Sequence, residues 1–268
     1  MLRFSGAGVS DVGLVRSDNE DSAFVGPYLG LVADGVGGAA AGEVASATAA
    51  YAVSATVLAG MGEEPERLLL DGFEAARTSI RRGVQGDLAR LGMATTLTAV
   101  VCDGHRAVLA HVGDSRAYLR RGGELTRLTT DHTYVQGLVS SGQLRAEDAA
   151  RHPWRNVVLR SLDGDPVHEG VDLLPLSVGP GDRLLLCSDG LSDLVSEDTI
   201  AELLAVEDPH SAAAVLTRAA LDAGGRDNVT VVVLDVVDGP MVVGDGHLLG
   251  AVRDIANVVD PGAVRLAR

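Results

Sequence analysis

Three aliphatic runs in this chain meet an aspartate. Leu29-Gly30-Leu31-Val32-Ala33 runs into Asp34-Gly35, Leu184-Leu185-Leu186-Cys187 runs into Ser188-Asp189-Gly190, and Asp227-Asn228 opens Val229-Thr230-Val231-Val232-Val233-Leu234. Short aliphatic runs bounded by glycine read as buried strands. A carboxylate at the rim of such a strand is costly to desolvate unless a partner compensates it. One Asp-Gly pair alone reads as a turn. Three acids in like contexts, far apart in sequence, point to side chains converging on one cation site. Glycine after Asp34 and Asp189 lets the backbone turn sharply, so that a carbonyl also faces the ion. An oxygen-only ligand set favours Mg²⁺ or Mn²⁺ over zinc. A carboxylate shared by two such ions, roughly 3.5–4 Å apart, would hold a bridging water acidified to a hydroxide nucleophile near neutral pH.

Arg16 precedes Glu20 and Asp21 by about one helical turn's worth of chain. A guanidinium fork beside a carboxylate-bound metal pair suits a phosphate, because the metals activate water and the fork holds the anion. The local alternative is a surface ion pair with Glu20 or Asp21. Asp114, within His111-Val112-Gly113-Asp114-Ser115-Arg116, is open between an outer metal ligand and an Asx hydrogen bond at a bulge. His132 and His152 read as surface histidines rather than acid–base groups. Gly35-Val36-Gly37-Gly38-Ala39-Ala40 fits the dinucleotide fingerprint G-x-G-x-x-G/A. Asp34 would repel the pyrophosphate there, and no second strand ending in Asp or Glu follows at the expected distance, which disfavours an NAD-type oxidoreductase. No G-x-S-x-G elbow supports a serine nucleophile.

Composition narrows the field. The chain has 268 residues, and 46% are hydrophobic but only 3% aromatic, so its core must be built from Ala, Val and Leu. A net charge of −15 argues against nucleic acid or an anionic membrane as partner. Every basic residue is arginine. There is therefore no P-loop lysine, kinase-type lysine or Schiff-base lysine. Cys102 and Cys187 stand alone in strand-like runs and read as buried reduced thiols. No secretory signal pattern opens the sequence. Residues 44–61 carry no charge but are rich in Ala, Ser and Thr, so a packed core helix is expected there rather than a membrane span. These features imply a cytoplasmic protein.

The elements that would carry the acids follow from periodicity. Residues 4–15 look strand-like, and 23–33 look like two strands about Gly26-Pro27. Helices are expected over 43–58 and within 65–90, with Pro65 near a start. Residues 95–128 read as one antiparallel meander with turns at Asp103-Gly104 and Gly122-Gly123. Residues 133–152 are weakly helical, interrupted by Gly137 and Gly142. A strand over 183–188, helices over 197–205 and 211–223, and a strand over 228–237 complete the set. Strands cluster without strict βαβ alternation, so antiparallel sheets packed together and flanked by helices fit best. The tail, 239–268, has one short amphipathic stretch at 251–259 and no assigned role.

Taken together, the sequence resembles the metal-dependent protein phosphatases (PPM, type 2C). The markers are Arg16-Ser17-Asp18-Asn19-Glu20-Asp21, Val32-Ala33-Asp34-Gly35-Val36-Gly37-Gly38, Ala94-Thr95-Thr96-Leu97, Val112-Gly113-Asp114-Ser115-Arg116, Cys187-Ser188-Asp189-Gly190-Leu191-Ser192-Asp193 and Gly225-Arg226-Asp227-Asn228-Val229-Thr230. Their style is similar to the bacterial branch that opposes Ser/Thr kinases. The resemblance implies an α+β fold, a four-layer α-β-β-α sandwich over residues 1–238 with a flap at about 133–156. It implies two tight Mn²⁺ or Mg²⁺ ions, with Asp34 bridging them, Gly35 giving its carbonyl, and Asp189 and Asp227 completing the centre. Glu20 and Asp21 match an acidic pair acting through water, Arg16 a phosphate-binding arginine, and Asp114 a ligand of a third, weaker ion. The implied reaction is hydrolysis of phosphoserine and phosphothreonine in proteins by a metal-bridging hydroxide, in a monomer, without a phosphoenzyme. A non-catalytic phosphopeptide-binding relative would be marked by ligand loss, and Asp34, Asp189 and Asp227 are all present. Some family members place a proton-donating histidine directly after the Asp-Gly pair; here that position is Val36. Related bacterial phosphatases often carry a transmembrane helix and outer domain, which this sequence does not show.

Overall fold

The computed structural model describes residues 1–36, 41–165, 170–244 and 246–263. Two antiparallel sheets form among these residues. The first contains β1 (Leu2–Asp11), β7 (Arg116–Arg121), β8 (Glu124–Arg127), β10 (Arg183–Cys187) and β11 (Val229–Asp238), in the order β1-β11-β10-β7-β8. The second contains β2 (Asp21–Val25), β3 (Leu29–Val36), β5 (Leu97–Cys102), β6 (Ala107–Val112), β9 (Asp172–Leu176) and β12 (His247–Gly250), in the order β12-β2-β3-β5-β6-β9. The short β4 (Ala94–Thr95) pairs with the end of β3.

Both faces of the central strands are covered, which is why those strands read as continuous aliphatic runs rather than alternating ones. Between the sheets lie Val32, Val100, Leu109, Leu184, Leu186, Val232 and Leu234. The outer face of the second sheet packs on α1 (Gly42–Ala59) and α2 (Pro65–Gly86) through Leu29, Leu31, Val53, Leu69, Phe73 and Ile80. The outer face of the first packs on α6 (Glu197–Leu203) and α7 (Pro209–Asp222) through Leu185, Val231, Val233, Ile200 and Leu216. The four-layer sandwich expected from the sequence is the architecture that forms. Alanine supplies much of the core, as the low aromatic content requires: Ala45, Ala47, Ala49, Ala50 and Ala52 of α1 are fully buried. No helix among the described residues is long and apolar enough to cross a membrane.

The expected meander over 95–128 is corrected. β5 and β6 form a hairpin in one sheet, and β7 and β8 form a hairpin in the other. The link between them, Gly113-Asp114-Ser115, crosses from sheet to sheet. Gly113 turns the chain with φ +112, and a Cβ there would meet Thr96 at 2.5 Å. Periodicity could not reveal the switch, because every residue of β6 is buried.

Residues 134–140 and 146–149 form two short helices, α3 (Tyr134–Ser140) and α4 (Ala146–Ala149). This excursion is tied at its root. Thr133 bridges to Val158, Tyr134 N–H donates to the Val157 carbonyl at 2.9 Å, and Leu159 N–H donates to the His132 carbonyl at 2.8 Å. The stretch after Gly239, to which the sequence assigned no role, adds β12 to β2 and buries Val252 and Val258 against α1.

Candidate metal centre

One end of the sandwich gathers the acids. Asp34 lies in β3 directly opposite Asp21 of β2. Asp189 follows β10 and begins the one-turn helix α5 (Asp189–Ser192). Asp227 precedes β11, and Asp114 sits on the crossing between the sheets. Five separate segments therefore deliver carboxylates to one space.

Hydrogen bonds fix the backbone that carries them. Asp34 N–H donates to Thr96 Oγ1 at 3.0 Å, and the Asp34 carbonyl accepts from Thr95 Oγ1 and Thr96 N–H, each at 2.8 Å. Thr96 Oγ1 in turn meets Ser115 Oγ at 2.8 Å, which ties Asp34 to the residue after Asp114. Asn228 staples the loop that bears Arg16 and Glu20. Its Oδ1 accepts from Glu20 N–H at 2.8 Å, and its Nδ2 donates to the Val12 and Asp18 carbonyls, each at 2.9 Å.

The glycines have a different use from the one expected. Neither Gly35 nor Gly190 has a positive φ. A Cβ on Gly35 would lie 2.5 Å from Gly42 backbone and 2.8 Å from the Glu20 carbonyl, and one on Gly190 would lie 1.9 Å from the Asn228 carbonyl. They are required for close approach of segments, not for a turn. That approach is what brings the strand ends together.

The electrostatics are those of acids without partners. Asp21 is 1% exposed; its Oδ2 accepts from Ser188 Oγ at 2.8 Å, while its Oδ1 has no hydrogen-bond partner. Burial, followed by the charges of Asp227 and Glu20, pushes its pKa up to about 7. Asp34 and Asp189 keep some solvent contact, yet packing strips most of their hydration. Asp34 is raised well above the carboxylate range by that desolvation, then by Asp21, Asp189, Asp114 and Asp227. Asp189 is raised well above it by desolvation, then by Asp114, Asp193, Asp227 and Asp21. Asp114 is pushed up to about 7 by burial, then by Asp131 and Asp193. Mutual repulsion of this kind means the carboxyls share one space.

Among the described residues, no group of three or more His, Cys, Asp or Glu side chains is arranged to hold a metal ion. The donor set nonetheless fits hard divalent cations: it is all oxygen, it is charged, and it contains an orphaned buried carboxylate oxygen.

Arg16 stands at the rim. Its Nη2 donates to Asp227 Oδ2 at 2.8 Å, and its Nη1 lies 3.9 Å from Glu20 Oε2. The surface pairing weighed for Arg16 is therefore present with Glu20 at long range, while the short contact is to Asp227. Under the α3–α4 excursion lies a cavity of about 300 Å³ lined by Asp114, Asp189 and Asp193 on one side and Val135, Val139 and Arg155 on the other. Asp193 was not singled out in the sequence as a site residue. Its position one helical turn after Asp189 was the available signal.

His132 is corrected. Its side chain is 7% exposed, not a surface group; Nδ1 accepts from Gly113 N–H at 3.0 Å, and Nε2 meets Asp172 Oδ2 at 3.0 Å. It braces the Asp114 crossing. His152 is half-buried and packs on Tyr134 and Trp154. The glycines and alanines of the dinucleotide-like motif beyond Val36, residues 37–40, lie outside the described residues.

With this geometry in place, comparison with known proteins is decisive. The family model for protein phosphatase 2C matches residues 6–219. The chain belongs to the protein phosphatase 2C family. It is 46% identical over 242 residues to the serine/threonine protein phosphatase PstP of Mycobacterium tuberculosis, covering 89% of this chain and 46% of PstP, so it spans about half the length of that relative. It is 36% identical over 236 residues to the serine/threonine phosphatase Stp of Listeria monocytogenes, covering 84% of this chain and 93% of Stp. The fold matches the catalytic domain of PstP solved in complex with two manganese ions, with a TM-score of 0.82 and 43% identity over 89% of this chain and all of that one.

Proposed function

We propose that this chain is a metal-dependent protein phosphatase that hydrolyses phosphoserine and phosphothreonine and opposes bacterial Ser/Thr kinases. The observation that carries this reading is the convergence of uncompensated acids on one space with an arginine at its rim. Asp34, Asp189, Asp227 and the Gly35 carbonyl would hold two Mn²⁺ or Mg²⁺ ions, Glu20 and Asp21 would reach them through water, and Asp114 would hold a third, weaker one. Bound cations supply charge neutralisation and acidify a water molecule.

The chain's own part is to bind, orient and exclude. Arg16 grips the phosphoryl oxygens as a fork. Water oxygen bonds to phosphorus as the bond to the serine or threonine oxygen breaks, and the departing alkoxide takes a proton. Ser188 is not free to act as the nucleophile in place of water. It is fully buried, with its hydroxyl donated to Asp21 and its oxygen accepting from Thr230 N–H at 3.0 Å. Val36 cannot donate the proton, so water near Asp114 is the proposed source. Asp114→Ala should then lose far more activity on phosphopeptides than on p-nitrophenyl phosphate, whose leaving group hardly needs protonation; equal losses would remove Asp114 from proton delivery.

The reading as a whole is tested by phosphate release from a phosphothreonine peptide with Mn²⁺ and after chelation. The expected result is release that chelation abolishes and Mn²⁺ restores, with a single solvent oxygen incorporated per phosphate. Release that survives chelation would overturn it.

A further inference from the structure

Two arginines at this end of the molecule have no acid of their own. Arg155 comes from the segment after α4, and Arg226 from the loop that leads into β11. Both are exposed, and neither enters an ion pair among the described residues. Their neighbours behave differently: Arg116 Nη2 meets Asp131 Oδ2 at 2.8 Å, Arg127 closes on the same carboxylate, and Arg16 meets Asp227. Arg155 feels Asp193 through space but does not pair with it.

The two line one cavity of about 310 Å³, which also opens onto Asp189, Asp193 and Asp227. That cavity is a neighbour of the one under α3 and α4, and Arg155 belongs to both. Unpaired guanidiniums in a concave wall, on a chain of net charge −15, are placed to meet a group that arrives negative. Because the cavity shares Asp189 and Asp227 with the proposed reaction site, that group must sit close to the phosphate being removed. An extended peptide advances about 3.3–3.6 Å per residue, so a side chain one or two positions from the phosphoresidue would reach it.

We propose that Arg155 and Arg226 form a second anion subsite, which takes an acidic group on a residue neighbouring the phosphoserine or phosphothreonine. Either a carboxylate or a second phosphate supplies the required chemistry. The proposal rests on the phosphatase reading and adds the class of substrate to it. The competing role for the two arginines is to offset the charge of Asp189, Asp193 and Asp227, and that role would affect every substrate alike.

The experiment compares kcat/KM on phosphothreonine peptides that differ only one or two positions on either side of the phosphoresidue, carrying Ala, Asp, Arg or a second phosphothreonine. The readout is the ratio to the Ala peptide, so that a general loss of activity cancels. For the parent we expect an acidic-to-neutral ratio of about five, within the range of a partly exposed ion pair. A larger ratio for the doubly phosphorylated peptide assigns the subsite to phosphate; a larger ratio for Asp assigns it to carboxylate. Arg155→Gln and Arg226→Gln should each bring the ratio toward one, and Arg226→Glu should turn preference toward the Arg peptide. A parent that hydrolyses p-nitrophenyl phosphate and all peptides at equal kcat/KM would overturn the subsite alone. So would a ratio unmoved by both glutamine variants. A parent that hydrolyses no phosphoester removes the phosphatase reading and the subsite with it.

Discussion

Strand β10 starts on one charged residue and leads into another two residues beyond its end, and the two ends are built on opposite rules. At its start, Arg183 lies opposite Asp235 of β11 and makes both fork contacts, Nε to Oδ1 at 2.5 Å and Nη2 to Oδ2 at 2.9 Å. The same guanidinium donates to the Leu204 carbonyl at 3.0 Å, the Glu207 carbonyl at 2.5 Å and the Val206 carbonyl, and so closes the C-terminal end of α6. At the far end stand Asp189 and, across the pair, Asp227; both carry the same sign, and Asp21 and Asp34 add to it. One end matches the guanidinium it buries to a carboxylate and three carbonyls. The other collects charge that the chain itself does not neutralise, which is stable only at a cost and useful only to something that brings the opposite charge.

The largest effect is expected at the paired end. Arg183→Ala strands Asp235 and three carbonyls, and should cost about 3 kcal/mol of stability in urea unfolding, the scale for breaking a buried pair. Activity per folded molecule should not change, because the site lies at the other end of the strand. A loss below about 1 kcal/mol would mean that the pair behaves as an ordinary surface bridge and that the contrast is false.

Next is the same experiment at the unpaired end, where the sign should reverse. Asp34→Asn or Asp189→Asn removes a buried charge, so the metal-free chain should melt at a higher temperature at pH 8. Hydrolysis of p-nitrophenyl phosphate at saturating Mn²⁺ should fall by more than about 100-fold, the upper range for losing a mere supporting residue of a metal site. Activity within a few-fold of the parent would remove both acids from the cation site.

Much of this contrast could be read from the sequence, and the reason is local. An acid at the end of a four- or five-residue aliphatic run is a conflict visible without coordinates. What brought the acids together was not local. Gly35 and Gly190 looked like turn residues, and only the packing of Gly42, Glu20 and Asn228 against them shows that they are contacts. The switch of sheet at Gly113 was hidden because strands buried on both faces show no alternation. β9 escaped notice because Pro175 sits inside it, which an edge strand tolerates. His132 was misread because its burial depends on Gly113 and Asp172, which lie 19 and 40 residues away.

Arg16 sharpens the comparison at intermediate size. Among the described residues it is the one guanidinium bonded to an acid of the Asp34, Asp189 and Asp227 set, yet it remains 44% exposed. If its task is to hold phosphate rather than to stabilise the fold, Arg16→Ala should raise KM by about tenfold, the value of a charge-assisted hydrogen bond or slightly more. Unfolding stability should hardly move. Arg16→Lys should recover part of the loss, since a point charge cannot make the fork. A fall in kcat with KM unchanged would assign Arg16 to the transition state alone.

The smallest expected effect is also the most direct reading of the unpaired end. Asp21 and Asp114 are raised to about 7, and Asp34 and Asp189 are raised well above the ordinary value of 3.8, in each case chiefly by desolvation. Above pH 6.5 the unfolded chain has already released these protons, while the metal-free native chain still holds some of them. The native state therefore binds more protons, and its stability must fall as pH rises through about 7. His111 pulls the other way. Burial, then the charge of His132, lowers it from 6.5 to about 4, so it destabilises the fold only as pH falls below 6.5. The window from pH 6.5 to 8.5 thus separates the carboxylates from His111, and the raised thiols of Cys102 and Cys187 enter only at its upper edge. In that window the chelator-treated chain should lose a few degrees of melting temperature, at about 2–4 °C per kcal/mol for a domain of this size. Mn²⁺ should stabilise it more at pH 8.5 than at 6.5, because protons compete with the ion for the same oxygens. Asp34→Asn should flatten the slope by removing one of the groups that titrates, whereas Arg183→Ala should lower the whole curve without changing its slope. A metal-free melting temperature that is level across the window, with Asp34 and Asp189 intact, would show that the acids at this end are already compensated and that the two ends of β10 do not differ in kind.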